Sequence, residues 1–146
     1  MNPASEDRRM IGALLRIPFQ AIVARIHGDL VRAGFDDLRP AHFVVFQQMD
    51  PGGVRLTELA ERGQMTKQSM GYLVDFLEKH GYVERAADPA DGRARLVRLT
   101  ARGAEVERIS RDVVRRIESE WSRLLGGERF DQLQGSLREL SDELAR

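Results

Sequence analysis

The 146-residue chain has no cysteine, which excludes disulfides, thiolate zinc sites and thiol-based redox switching. It has no net charge either. Its 23 basic and 23 acidic side chains cancel, so any attraction for a polyanion must come from how the charge is distributed. Aromatic residues are scarce at 6%, prolines number 5 and no low-complexity run occurs, which describes an ordered, helix-rich polypeptide with disorder expected only at its first few residues. No apolar run approaches the roughly 20 residues that a bilayer-spanning helix needs. The start of the chain also lacks a signal peptide's hydrophobic stretch, so a cytoplasmic location with no membrane partner is expected. Nucleophile elbow, glycine-rich phosphate loop and zincin helix are all missing, and neither enzymatic activity nor a cofactor is expected. His27, His42 and His80 stand far apart with no paired carboxylate spacing, so no metal site is expected.

What is present is helical periodicity. Between Glu6 and Ala33 the apolar positions Ile11, Leu14, Leu15, Phe19, Ile22, Val23, Ile26 and Leu30 recur at three- and four-residue steps, the mark of a long amphipathic helix. Pro18 should kink or restart it, and Gly34 should end it. Arg39-Pro40 opens a short helix that stops at Asp50-Pro51-Gly52-Gly53. A short helix over Leu56–Arg62 follows, with Gly63 placed to terminate it, and a further helix begins after Met65-Thr66. Two helices joined by so tight a turn make a helix-turn-helix. In the second, Met70, Leu73, Val74 and Leu77 form the buried stripe, leaving Gln68, Tyr72, Asp75 and Lys79 opposite.

Beyond Gly81, two strands are predicted at Tyr82–Arg85 and Arg95–Leu99, connected by a loop from Asp88 to Arg93. Thr100 suits the N-cap of a long helix carrying Val106, Ile109, Val113, Ile117, Trp121 and Leu124, and ending at Gly126-Gly127. A last helix carries Phe130, Leu133, Leu137, Leu140 and Leu144, the spacing of a coiled-coil seam. Such a seam must be covered, and a second copy of the chain packed through this helix, the first helix and the long penultimate one is the simplest cover.

Charge is distributed unevenly. Arg93, Arg95, Arg98 and Arg102 occur with no acidic residue among them, whereas the tail from Glu128 is predominantly acidic. A short basic segment beside a helix-turn-helix suggests a DNA-facing side. For such a fold, side chains near the start of the second helix must reach base edges, while other donors hold phosphates. Thr66, Lys67, Gln68, Ser69, Gly71 and Tyr72 occupy that stretch. Gln68 can pair with adenine, Lys67 with guanine or phosphate, and Ser69 and Thr66 with phosphate oxygens; Gly71 permits close backbone approach, and Tyr72 can stack on a sugar or a thymine methyl. Thr66 is equally suited to capping the helix. Arg93 at the loop tip suits a narrow minor groove and Arg95 a phosphate, with Asp91 holding Arg93 or the loop backbone. The competing reading makes these arginines a solvated edge that discourages strand pairing.

The order of elements, together with these residues, resembles the multiple-antibiotic-resistance regulator (MarR) family over nearly the whole chain. Its most specific part is Asp88-Pro89-Ala90-Asp91-Gly92-Arg93-Ala94-Arg95, in which Asp91, Arg93 and Arg95 fill the family's aspartate, arginine and second basic position. Leu56–Ala60, Leu73–Val83 and Leu99–Gly103 support it, while Gly71-Tyr72 departs from the hydroxyl and basic or small polar residues more usual there. The resemblance implies a mainly α fold with a small two-stranded β wing. It also implies a single domain over 1–146, with dimerisation helices at 6–34 and 101–146, a winged helix-turn-helix lobe at 38–100 and the wing at 82–100. The function it implies is a bacterial, homodimeric repressor of a palindromic double-stranded operator, released by a small and often aromatic effector. Phe19, His27, His42, Phe46 and Trp121 are candidates for lining the effector cleft, against the alternative that aromatics at helical spacing are core. Two further readings remain: a dimeric interaction module without DNA binding, and a DNA-binding activator or architectural protein.

Overall fold

The computed structural model describes residues 9–146, so the expected helix start at residues 6–8 lies outside the described residues. In order come α1 (Ile11–Arg32), a 3-10 turn (Pro40–His42), α2 (Phe43–Gln47), α3 (Leu56–Arg62), α4 (Lys67–Lys79), β1 (Val83–Asp88), β2 (Asp91–Leu99), α5 (Ala101–Leu125) and α6 (Gly127–Leu144). The mainly α architecture with a two-stranded antiparallel wing is therefore as the sequence implies. Two compact units divide inside α5, one ending at Ser110 and the other spanning Arg111–Arg146.

In the first unit, α1 runs through Pro18 without restarting. Proline removes one amide, and at this exposed position the freed carbonyl of the preceding turn can be solvated. Ile26 and Leu30 at the far end of α1 are buried, whereas Ile11, Leu14, Leu15, Ile17 and Phe19 are exposed. Gly34 adopts φ +96, which lets the Phe35 amide donate to the Leu30 carbonyl at 2.8 Å and close the helix. Around the helix-turn-helix the core consists of Leu38, Phe43, Val45, Phe46, Leu59, Met70, Val74 and Leu77. Burying each large side chain of this set contributes about 1.5–3 kcal/mol.

Gly63 ends α3 as expected, standing at its C-cap, but without a left-handed turn. Gly63 has an ordinary right-handed conformation, and the left-handed residue is Gln64 at φ +54. Gly63 is needed for space instead: a Cβ there would lie 3.0 Å from the Met70 Cε and 3.2 Å from the Val44 Cγ2. At the other end of α4, Gly81 does carry the left-handed turn, at φ +81, with the Tyr82 amide donating to the Leu77 carbonyl.

Both wing strands are longer than predicted, and Pro89-Ala90 alone forms the turn. Val83 pairs with Leu99 and the register continues to Ala87 with Arg95, then shifts so that Asp88 pairs with Asp91. Gly92, Arg93 and Ala94 thus bulge between consecutive positions of β1. Arg93 belongs to this bulge in β2 and not to a loop tip, because Asp88 tightens the turn: its Oδ1 accepts the Ala90 amide at 2.8 Å. On the opposite edge, Val54 and Val97 exchange backbone hydrogen bonds of 2.9 and 2.8 Å, attaching the segment before α3 to β2.

Thr100 caps α5 as expected, accepting the Gly103 amide at 3.1 Å and donating to the Gly81 carbonyl at 2.6 Å. In the second unit, Val113, Ile117 and Phe130 are buried, and Gly126 at φ +90 separates α5 from α6. The seam residues Leu133, Leu137, Leu140 and Leu144 all remain exposed in the single chain.

Candidate nucleic-acid interface

The start of α4 is built by its cap. Thr66 Oγ1 accepts the Ser69 amide at 3.1 Å and donates to Ser69 Oγ at 2.9 Å, so the hydroxyl is engaged in starting the helix. Because Met70, Val74 and Leu77 face inward, the opposite ridge must face solvent. Lys67, Gln68 and Ser69 are exposed, and Tyr72 is 67% exposed with its hydroxyl 3.4 Å from Gln68 Nε2. Gly71 is half-buried, and a Cβ there would meet only Leu56 Cδ2 at 4.0 Å. The fold itself does not require glycine at that position.

Of the four arginines read as a basic run, two are engaged by other side chains while remaining about half exposed. Arg98 Nε donates to Glu84 Oε1 at 2.7 Å across the strand pair. Arg102 Nη2 donates to the Tyr82 hydroxyl at 2.9 Å, and its guanidinium lies 4.5 Å above the Tyr82 ring. Tyr82 is fully buried and donates to Asp37 Oδ1; burial, then the Asp37 carboxylate, pushes its hydroxyl pKa up to about 12. Arg93 and Arg95 are exposed, and neither guanidinium meets a carboxylate among the described residues. Asp91 does not pair with the Arg93 side chain; its Oδ1 accepts the Arg93 backbone amide at 3.1 Å.

Three residues missed by sequence reasoning complete the wing. Arg55 donates from Nε and Nη2 to Asp88 Oδ2, at 3.0 and 2.7 Å. The Ala90 amide, then the Arg55 guanidinium, holds the Asp88 carboxyl below its ordinary range. Arg85 bridges β1 to α4, donating to Glu78 at 2.7 Å and to Asp75 at 2.8 Å. Only Asp88-Pro89, a turn-initiating pair, was a visible signal for any of the three.

The cleft candidates separate. Phe19 and His27 line an open, mainly apolar groove of about 570 Å³ between α1 and α2, together with Val23, Phe43 and Val44. His42 and Phe46 are core residues instead. His42 Nδ1 accepts the Arg39 amide at 2.9 Å and its ring stacks on Phe76 at 4.4 Å, while Phe46 meets Tyr82 edge-on. Burial lowers the His42 pKa. Trp121 is half-buried on α5 in the second unit. No cluster of three or more His, Asp or Glu suited to a metal ion occurs among the described residues, and no helix is long and apolar enough to cross a membrane.

Residues 36–94, from the turn before α2 to the wing bulge, match the MarR family. The transcriptional regulator HosA of Escherichia coli O111:H- is 31% identical over 114 residues, which is 78% of this chain and 82% of HosA. The chain belongs to the MarR family. Its fold matches that of the transcriptional repressor CouR bound to a 23-mer DNA duplex, with a TM-score of 0.73 at 23% identity, covering 97% of this chain and 99% of that one. CouR from Rhodococcus jostii RHA1 bound to p-coumaroyl-CoA gives a TM-score of 0.72 over 96% and 95% of the two chains, also at 23% identity. A Mycobacterium tuberculosis MarR family protein in complex with salicylic acid is 26% identical, with a TM-score of 0.63 over 92% and 98%. This MarR chain is thus a winged helix-turn-helix transcription regulator, with α3 and α4 as its helix-turn-helix and β1–β2 as its wing.

Proposed function

We propose that this MarR regulator is a homodimeric repressor that binds a palindromic duplex and leaves it when a small aromatic effector binds. The observation that carries the DNA reading is selective pairing: all four arginines are exposed, but Arg98 is paired with Glu84 and Arg102 lies against Tyr82 and Asp37, whereas Arg93 and Arg95 are kept free on the wing. Arg93 enters a minor groove, whose negative potential attracts guanidinium groups, and Arg95 holds a phosphate. Along α4, Gln68 reads a base edge, Lys67 meets guanine or a phosphate, Ser69 holds a phosphate and Tyr72 lies on a sugar or thymine methyl. Thr66 starts the helix, and Gly71 keeps the duplex-facing side low. Residues 38–100 form the DNA-binding lobe, and 6–34 with 101–146 the dimerisation helices.

Dimerisation is supported by the apolar residues that one copy leaves uncovered, Leu14 and Leu15 on α1 and the Leu133–Leu144 seam on α6. Two-fold symmetry then places half-sites about one helical turn apart. The groove at Phe19 and His27 has the size and apolar lining of a small-molecule site. CouR with p-coumaroyl-CoA and the M. tuberculosis protein with salicylic acid support an aromatic occupant.

Selection of bound sequences from a random duplex pool, at fixed moderate salt, tests the reading. It predicts an enriched inverted repeat for the wild-type chain and weaker enrichment of the same repeat for Arg93→Ala. No enrichment at any salt would replace it with the interaction-module reading.

A further inference from the structure

The wing bulge that carries Arg93 has no ladder partners of its own, since Gly92, Arg93 and Ala94 fall between consecutive residues of β1. Something else must fix its direction. Asp88 Oδ1 accepts the Ala90 amide and Asp91 Oδ1 accepts the Arg93 amide, so each tip aspartate holds one tip amide with one oxygen. Their second oxygens both face Arg55: Asp88 Oδ2 takes two of its N–H groups at 3.0 and 2.7 Å, and Asp91 Oδ2 lies 4.0 Å from its Nη2. Arg55 is fixed in turn. It precedes the first residue of α3, and its neighbour Val54 is bonded in both directions to Val97 of β2. The Asp88 side chain is only 11% exposed and the Arg55 side chain 43%, so the pair is half enclosed, with the carboxylate on its inner side.

We propose that Arg55 is the positioning residue of the wing: through Asp88 and Asp91 it holds the bulge so that Arg93 is presented to the duplex. Arg55 itself touches no DNA. The inference rests on Arg93 contacting the duplex and extends that reading to a residue outside the wing.

A double-mutant cycle on the full-length protein, with the selected operator duplex as probe, tests it. Arg55→Gln should weaken binding about tenfold, the scale of one well-placed contact, with the melting temperature little changed. In an Arg93→Ala background the same substitution should cost less than about twofold, because residues acting through one contact are not additive. It should also leave that background's salt slope unchanged, whereas loss of a direct phosphate contact would lower the slope by about 0.9. Asp88→Asn, which keeps an oxygen for the Ala90 amide, should reproduce the coupling and serves if Arg55→Gln folds poorly. Equal losses in both backgrounds, or a further fall in salt slope, would overturn the proposal by making Arg55 an independent contact. Arg93→Ala that binds like wild type would sink the wing reading itself; a weakened Arg93→Ala beside an unaffected Arg55→Gln would sink this inference alone.

Discussion

The junction between wing and α5 has so little space that one methyl group should unseat it. Gly103 is buried, and a Cβ built on it would stand 2.0 Å from the Tyr82 carbonyl oxygen, 3.0 Å from the Tyr82 carbonyl carbon and 3.1 Å from Leu99 Cδ2. An ordinary C···O contact is about 3.3–3.6 Å, so Gly103→Ala forces the start of α5 and the start of β1 apart by more than about 1 Å. The carbonyl that would have to move also accepts the Thr100 amide at 3.1 Å, and Thr100 is the cap of α5. Overpacking costs about 1–3 kcal/mol and occasionally more, and a disturbed hydrogen bond adds about 1 kcal/mol. Alanine's helix preference offsets up to about 1 kcal/mol of this. A net loss of about 1–3 kcal/mol lowers the melting temperature by roughly 3–9 °C for a chain of this size. Thermal and urea unfolding of the full chain measure it, with Gly71→Ala as the contrast, since a Cβ there meets nothing closer than 4.0 Å. Gly103→Ala as stable as wild type would refute the close-approach argument.

Gly71→Ala should raise stability by up to about 1 kcal/mol while weakening operator binding several-fold, measured by fluorescence anisotropy; unchanged binding would remove Gly71 from the interface. Leu140→Glu on the exposed α6 seam should convert the protein to a monomer in sedimentation equilibrium, and a stable dimer would place the interface elsewhere. His42 carries a pH prediction. Burial lowers its folded pKa below the ordinary 6.5, so the unfolded chain takes up the proton first. Stability should therefore be full above about pH 6.5 and decline as pH falls through that value toward the folded pKa. The decline should not exceed about 1.4 kcal/mol per pH unit for this one proton. His42→Phe, which keeps a ring against Phe76, should remove this part of the slope; identical slopes in denaturant titrations across that window would refute it.

Local signals carried much of the architecture. Gly34 and Gly81 stop their helices through left-handed turns, Thr100 caps α5, and the inward stripe of α4 follows from its spacing. What escaped the sequence depends on partners distant along the chain. Arg98 and Arg102 read as free cations until Glu84, Tyr82 and Asp37 meet them, and Arg55 finds Asp88 across 33 positions. Gly63 does end α3, as its position suggests, but not by taking a left-handed conformation. Its real constraint is the Met70 and Val44 side chains, which leave Gln64 to take the left-handed conformation. His42 and Phe46 have the same spacing and residue type as a ligand cleft would need, and only packing against Phe76 and Tyr82 assigns them to the core. The Arg93 bulge was hidden for a similar reason: a tight turn anchored by Asp88 extends both strands and shifts the register at Ala87 and Asp88.

Hydroxyl-radical footprinting of the protein on its selected duplex tests the central claim most directly. The account predicts a two-fold symmetric pattern, with two recognition-helix half-sites about one turn apart and flanking minor-groove protections that disappear in Arg93→Ala while the half-sites persist. A single asymmetric footprint, or flanking protection that survives Arg93→Ala, would contradict it.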